Sequence, residues 1–188
     1  MIIGFCGREG SGKTYAAKYL ADTYGYTIRS FATPLKEICK ILFTFDDTQL
    51  YGTQRQKNTP DFRWYGATPR RCMQFIGTDL MRKQLHVIIP ELGEDIWIKS
   101  FENWYLSQPP NSKVVIDDVR FQNEIDLIHK LGGIVVMLER GYVANVECLH
   151  ESEKLDLSGY NYTVRNNEDE KLYENLDLVI EDCSTLHH

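Results

Sequence analysis

Gly7-Arg8-Glu9-Gly10-Ser11-Gly12-Lys13-Thr14 satisfies the pattern G-x-x-x-x-G-K-[ST] at every fixed position. The residues on either side supply the context this motif needs. Met1 to Cys6 is a short apolar run that reads as a buried strand. Thr14 to Tyr24 has helical spacing, with Ala17, Leu20 and Ala21 on one face and Gly25 as a stop. A glycine-rich loop between strand and helix lets the backbone wrap a phosphate with its N–H groups turned inward, and the helix N-terminus adds its positive end. Gly10, Ser11, Gly12, Lys13 and Thr14 are therefore the expected nucleotide-binding residues. Lys13 is expected to bridge the terminal phosphates, and the Thr14 hydroxyl to ligate Mg²⁺. A ligand-free glycine turn would need neither the lysine nor the hydroxyl.

Downstream, Tyr26 to Phe31 alternates like a second strand. Thr33-Pro34 opens a helix through Leu42, with Leu35, Ile38, Cys39 and Leu42 inward. Asp46 to Thr68 reads as irregular. Thr68-Pro69 starts a further helix toward Arg82, and Asp95 to Leu106 is helical. Val114 to Ile116 is a buried strand ending in Asp117-Asp118. Phe121 to Leu131 is helical up to Gly132-Gly133, and Ile134 to Leu138 is a strand. Tyr160 to Val164 and Leu176 to Ile180 read as short strands flanking a helix. Strands alternating with helices predict an α/β fold, a parallel sheet flanked by helices on both faces. The long stretch between the second strand and Val114 predicts a substrate-binding insertion.

The chain has 188 residues, 43% hydrophobic and 26% charged, which suits one globular domain. No apolar run approaches the ~20 residues of a membrane span, and no secretory signal is visible. Five cysteines without a C-x-x-C pair read as reduced thiols, so a cytoplasmic location is expected. Up to Lys83 there are 13 Lys+Arg against 7 Asp+Glu; from Gln84 there are 8 against 20. A cationic first half in an acidic protein points to a local anion site rather than to a nucleic-acid surface.

A buried strand ending in carboxylate places an acid beside a P-loop in a parallel sheet, where it can hold Mg²⁺. Asp117 and Asp118 are both candidates, because strand phase is not fixed by the sequence. The guanine-reading segment N-K-x-D of GTPases is absent, and neither D-x-x-G (Asp22 to Gly25, Asp156 to Gly159) follows the Val114 strand as a switch would. Small size and an arginine- and aromatic-rich insertion favour a kinase with a separate acceptor site.

Phe31-Ala32-Thr33-Pro34-Leu35-Lys36, Thr68-Pro69-Arg70-Arg71, Gln74-Phe75-Ile76-Gly77-Thr78-Asp79, Trp97, and Asp118-Val119-Arg120-Phe121-Gln122-Asn123-Glu124 together resemble the deoxynucleoside monophosphate kinases of bacteriophages and other viruses. The resemblance runs through nearly the whole chain. It implies a single P-loop kinase domain with an acceptor-binding insertion at about 32–112 and a lid at about 141–159. It implies ATP with Mg²⁺ as donor, a dNMP as acceptor, and dNDP and ADP as products. Arg120, with Asp118 and Glu124 beside it, is the implied phosphate contact, and Trp97 the implied wall for the base. Some related kinases pair, so a homodimer is an open expectation, although no apolar seam is legible.

The chemistry agrees with those roles. The acceptor is already an anionic phosphate oxygen, so positioning and charge neutralisation matter more than a base. Two polyanions need several fixed cations, and Arg70, Arg71, Arg82, Arg120 and Arg140 are candidates. Lys13, Arg120, Asp118 and Arg140 form the expected catalytic set. Trp64, Tyr65 and Phe75 could also stack on a base, while Gln74 and Asp79 could read base or sugar edges. The lid departs from the pattern of many nucleotide kinases in holding no arginine, which leaves Lys154, Arg140 or Arg165 to serve. The alternatives are another P-loop kinase, of the dephospho-coenzyme A kinase type, and a non-kinase P-loop ATPase.

Overall fold

The computed structural model describes residues 1–140, 157–167 and 171–185. In chain order the strands are β1 (Ile2–Cys6), β2 (Thr27–Ile28), β3 (Val114–Val119), β4 (Ile134–Arg140) and β5 (Tyr162–Asn166). The helices are α1 (Lys13–Tyr24), α2 (Thr33–Phe43), α3 (Asp47–Tyr51), α4 (Gln54–Lys57), α5 (Pro69–Gln74), α6 (Ile96–Leu106), α7 (Gln122–Lys130) and α8 (Lys171–Thr185). A π-helix, Phe75–Arg82, continues α5. The chain falls into two compact units: Met1–Ser30 with Ser107–His188, and Phe31–Leu106.

The first unit holds a five-stranded sheet in the order β2-β3-β1-β4-β5, with every neighbouring pair parallel. All five residues of β1 are buried, as a central strand covered on both faces requires. On one face Ile3, Phe5, Val115, Val136 and Leu138 pack against Ala16, Ala17 and Leu20 of α1 and Leu172, Leu176 and Val179 of α8. On the other, α7 comes so close that a Cβ added to Gly4 would stand 2.5 Å from Ile128 Cδ1. This is an α/β architecture, a parallel sheet flanked by helices, as expected from the sequence. The glycine loop follows β1 and the aspartate pair lies toward the end of β3, so both sit at the carboxyl ends of adjacent central strands, where open α/β sheets bind their ligands.

Four sequence readings change. Leu176 to Ile180 is not a strand: it lies inside α8. The buried residues Leu172, Leu176, Val179, Ile180 and Cys183 recur at helical spacing, which a five-residue window cannot distinguish from a short strand. The second strand shrinks to Thr27–Ile28 at the sheet edge. Asp46 to Thr68 is more ordered than its composition suggested, because Asp46 and Thr53 each begin a short helix with a reciprocal capping box. Leu42 is exposed, whereas Leu35 and Cys39 of the same helix are buried.

The second unit has its own core, built from Phe31, Leu35, Cys39, Phe45, Leu50, Ile76, Trp97 and Phe101. The π-helix lies tightly on α2, since a Cβ on Gly77 would stand 2.6 Å from Leu35 Cδ2. The stretch read as a lid, 141–159, lies outside the described residues apart from its last three positions.

Candidate active site

The loop from Gly7 to Thr14 adopts a conformation that only its glycines permit at the bends. Gly7 has φ 141° and Gly12 has φ 99°, both in the region L side chains rarely adopt. The loop then passes directly into α1, whose first N–H groups have no partner within the helix. Five of its carbonyls accept hydrogen bonds. Lys13 Nζ donates to Gly7 O at 2.6 Å and Arg8 O at 2.9 Å. Arg140 Nη1, from the end of β4, donates to Gly10 O at 2.7 Å. Asn166 Nδ2, from the end of β5, donates to Ser11 O at 2.9 Å. Gly12 O accepts the Ala16 N–H in the first turn of α1.

Lys13 is held at an electrostatic disadvantage. Burial, reinforced by the charge of Arg120, pushes its ammonium from the usual lysine range down to about 8. Two cations that disfavour each other beside a glycine loop and a helix N-terminus describe a site suited to a polyanion. Burial also raises the neighbouring Cys6 thiol to about 11, so it stays protonated and inert at neutral pH.

The aspartates are sorted by a β-bulge. β3 pairs Ile116 with Gly4 and then Val119 with Cys6, so it takes three steps where β1 takes two. The extra residue falls within Asp117-Asp118 and re-aims their side chains, which is why the strand phase was not legible. Asp117 Oδ2 accepts the Thr14 hydroxyl at 3.3 Å, and its Oδ1 accepts the Ser30 hydroxyl at 2.6 Å. Asp118 is the half-buried neighbour. Arg120 is exposed at the turn into α7. Glu124 is buried, and its Oε2 accepts the backbone N–H groups of Arg120 (2.7 Å) and Phe121 (3.1 Å). It thereby caps α7 and fixes the backbone that carries Arg120.

The remaining expected residues lie in the second unit. Arg70 donates to Gln54 Oε1, and Arg71 is exposed on α5. Gln74 and Asp79 are half-buried, and Lys83 Nζ lies 3.5 Å from Asp79 Oδ1. Thr78 and Arg82 are buried on the π-helix. A π-helical stretch is uncommon and marks functional positions more often than ordinary helix does. Trp97 is a core residue whose indole N–H donates to Gly77 O at 2.8 Å. Trp64 likewise donates to Phe43 O, whereas Tyr65 and Phe75 are exposed.

Comparison with known proteins decides the family. A family model described as deoxynucleotide monophosphate kinase matches residues 63–176. The chain belongs to the deoxynucleotide monophosphate kinase family. A relative from Acanthamoeba polyphaga mimivirus, named as a deoxynucleotide monophosphate kinase, is 42% identical over 192 residues that cover all of both chains. Membership makes this deoxynucleotide monophosphate kinase family protein an ATP-dependent phosphotransferase acting on a small-molecule nucleotide. The matched span contains Asp117, Asp118, Arg120 and Arg140 but begins after the glycine loop, so the sequence motif and the family match are separate observations.

Two site residues had no sequence signal. Ser30 lies 87 residues from the aspartate it contacts, and Asn166 lies 155 residues from Ser11. Neither belongs to a spacing pattern. The parallel pairing of the sheet brings Asn166 to the loop and Ser30 to Asp117.

Proposed function

We propose that the enzyme moves the terminal phosphoryl group of ATP onto the 5′-phosphate of a deoxynucleoside monophosphate, yielding dNDP and ADP. The observation that carries this reading is the ammonium of Lys13, half-buried, depressed by burial and by Arg120, within a glycine loop whose Gly10 and Ser11 carbonyls are held by Arg140 and Asn166. The N–H groups of Gly10 to Thr14 bind the phosphates of the donor, that of Ser11 by exchanging its bond to Arg8 O, and Lys13 follows charge as it moves from the γ-phosphate toward the leaving oxygen. Arg120 and Arg140 stand by the same loop and offset the charge of the two polyanions.

A hydroxyl and a carboxylate side by side, Thr14 and Asp117, form a hard-oxygen donor set suited to Mg²⁺. Among the described residues there is no cluster of three or more His, Cys, Asp or Glu that could hold a metal. When bound, Mg²⁺ would neutralise charge on the phosphate oxygens. Ser30 holds Asp117 in the orientation that presents it, and Asp118 is its neighbour on the bulge.

For the acceptor we assign the second unit, within the insertion at about 32–112. Arg70, Arg71 and Arg82 are its phosphate-side cations, Gln74 and Asp79 read base or sugar, and Trp97 supports them from the core, through Gly77 O, rather than as an open stacking face. Glu124 serves by fixing the Arg120 backbone. The segment 141–159 is assigned as the lid. The viral relative supports the host cytoplasm as the place of action.

A panel assay tests the reading. Release of ADP is followed with each dNMP, each NMP and dephospho-coenzyme A as acceptors. Turnover with at least one dNMP is expected. Turnover with dephospho-coenzyme A alone, or hydrolysis without any acceptor, would overturn it.

A further inference from the structure

The glycine loop is braced from behind by the ends of two neighbouring strands. Arg140 and Asn166 are register partners in the parallel pairing of β4 with β5. Each reaches back to the loop and donates to one carbonyl, Arg140 to Gly10 O (2.7 Å) and Asn166 to Ser11 O (2.9 Å). The two contacts differ in kind. Arg140 is exposed, so water can replace it. Asn166 is 7% exposed and its bond is buried. Its amide lies where a Cβ of Gly12 would go, so the glycine admits the asparagine as well as the bend.

A peptide unit that turns its carbonyl outward turns the next N–H inward. The donor on Ser11 O therefore sets the peptide whose N–H belongs to Gly12, at the point where the loop enters α1. If the carbonyl lost its partner, the peptide would be free to rotate, and the N–H array would have to be reordered by the ligand at each binding event.

We propose that Asn166 is a positioning residue for the donor triphosphate: it holds the Ser11–Gly12 peptide in the phosphate-binding orientation before nucleotide arrives. The proposal rests on the reading of the glycine loop as the ATP site. Asn166 touches the loop and not the reacting atoms, so its effect appears in donor binding rather than in acceptor binding.

The test uses the full chain and the variants Asn166→Ala, which removes the donor, and Asn166→Asp, which keeps the size but sets a carboxylate against the carbonyl. Affinity for Mg²⁺ with a non-hydrolysable ATP analogue is measured by calorimetry, together with KM for ATP, KM for the dNMP, kcat and the thermal midpoint without nucleotide. Leaving a buried acceptor without a partner should weaken donor affinity about tenfold to hundredfold in Asn166→Ala, and more in Asn166→Asp. KM for the dNMP should change by less than about twofold. A lower thermal midpoint with donor affinity and KM for ATP unchanged would show a merely structural role and overturn the proposal. Wild-type protein that binds no analogue would instead refute the ATP-site reading. The two failures are therefore distinct. Should Asn166→Asp fail to fold, Asn166→Ala alone decides.

Discussion

Lys13 should take up a proton when the donor binds. Its ammonium lies among the carbonyls of Gly7 and Arg8, and burial with the Arg120 charge places its pKa at about 8. A triphosphate beside it reverses the balance, because opposite charges within about 4–6 Å favour the charged form. The sign follows directly. A lysine with a depressed pKa is partly neutral in free enzyme above about pH 8 and protonated in the complex, so binding consumes protons there and weakens as pH rises. At about pH 8.5 roughly three-quarters of the free enzyme carries neutral Lys13, giving an expected uptake of about 0.7 proton per site. At about pH 6.5 the uptake should fall below about 0.1. Affinity should drop about tenfold from about pH 7 to pH 9, or about 1.4 kcal/mol. Calorimetry of a magnesium–ATP analogue in two buffers of different ionisation enthalpy reads the proton count directly. The variant Lys13→Met should lose both the uptake and most of the affinity. No uptake in wild type at the higher pH, or equal uptake in the variant, would refute the assignment of Lys13 to the triphosphate.

Three further outcomes follow from the same geometry. Asp117→Asn should raise the Mg²⁺ concentration needed for half-maximal rate by about tenfold or more, with Ser30→Ala shifting it less; a magnesium titration of the steady-state rate checks both. Arg120→Ala should lower kcat by about a hundredfold or more while leaving the thermal midpoint unchanged, and a loss confined to stability would assign the residue to surface ion pairing instead. Trp97→Phe keeps an aromatic ring, though a smaller one, and leaves Gly77 O without its indole donor, so it should destabilise the protein by about 1–3 kcal/mol in a denaturant titration, visible as a lower midpoint.

The donor side of the site was legible in the sequence because its chemistry is local. Eight consecutive residues form the loop, and the strand before it and helix after it show by periodicity. The proposed acceptor side was less legible. Arg70, Arg71, Gln74, Asp79 and Arg82 announced themselves by residue type, but the π-helix that buries Thr78 and Arg82 has no periodic signature of its own. Trp97 could be named, but its commitment to Gly77 O is a tertiary fact. The choice between Asp117 and Asp118 depended on a bulge, a one-residue irregularity that alternation cannot reveal. Ser30 and Asn166 needed the strand order itself. The misread segment, Leu176 to Ile180, failed for a simpler reason: five apolar-rich residues fit either period, and only the burial of Leu172 and Cys183 beyond them decides for helix.

The central claim is that one phosphoryl group passes from the nucleotide held around Lys13 to a deoxynucleotide. ATP labelled at its γ-phosphate, mixed with enzyme, Mg²⁺ and each dNMP in turn, should yield labelled dNDP in wild type and almost none in Lys13→Met. Label appearing only as inorganic phosphate, with no dNDP from any of the acceptors, would contradict it.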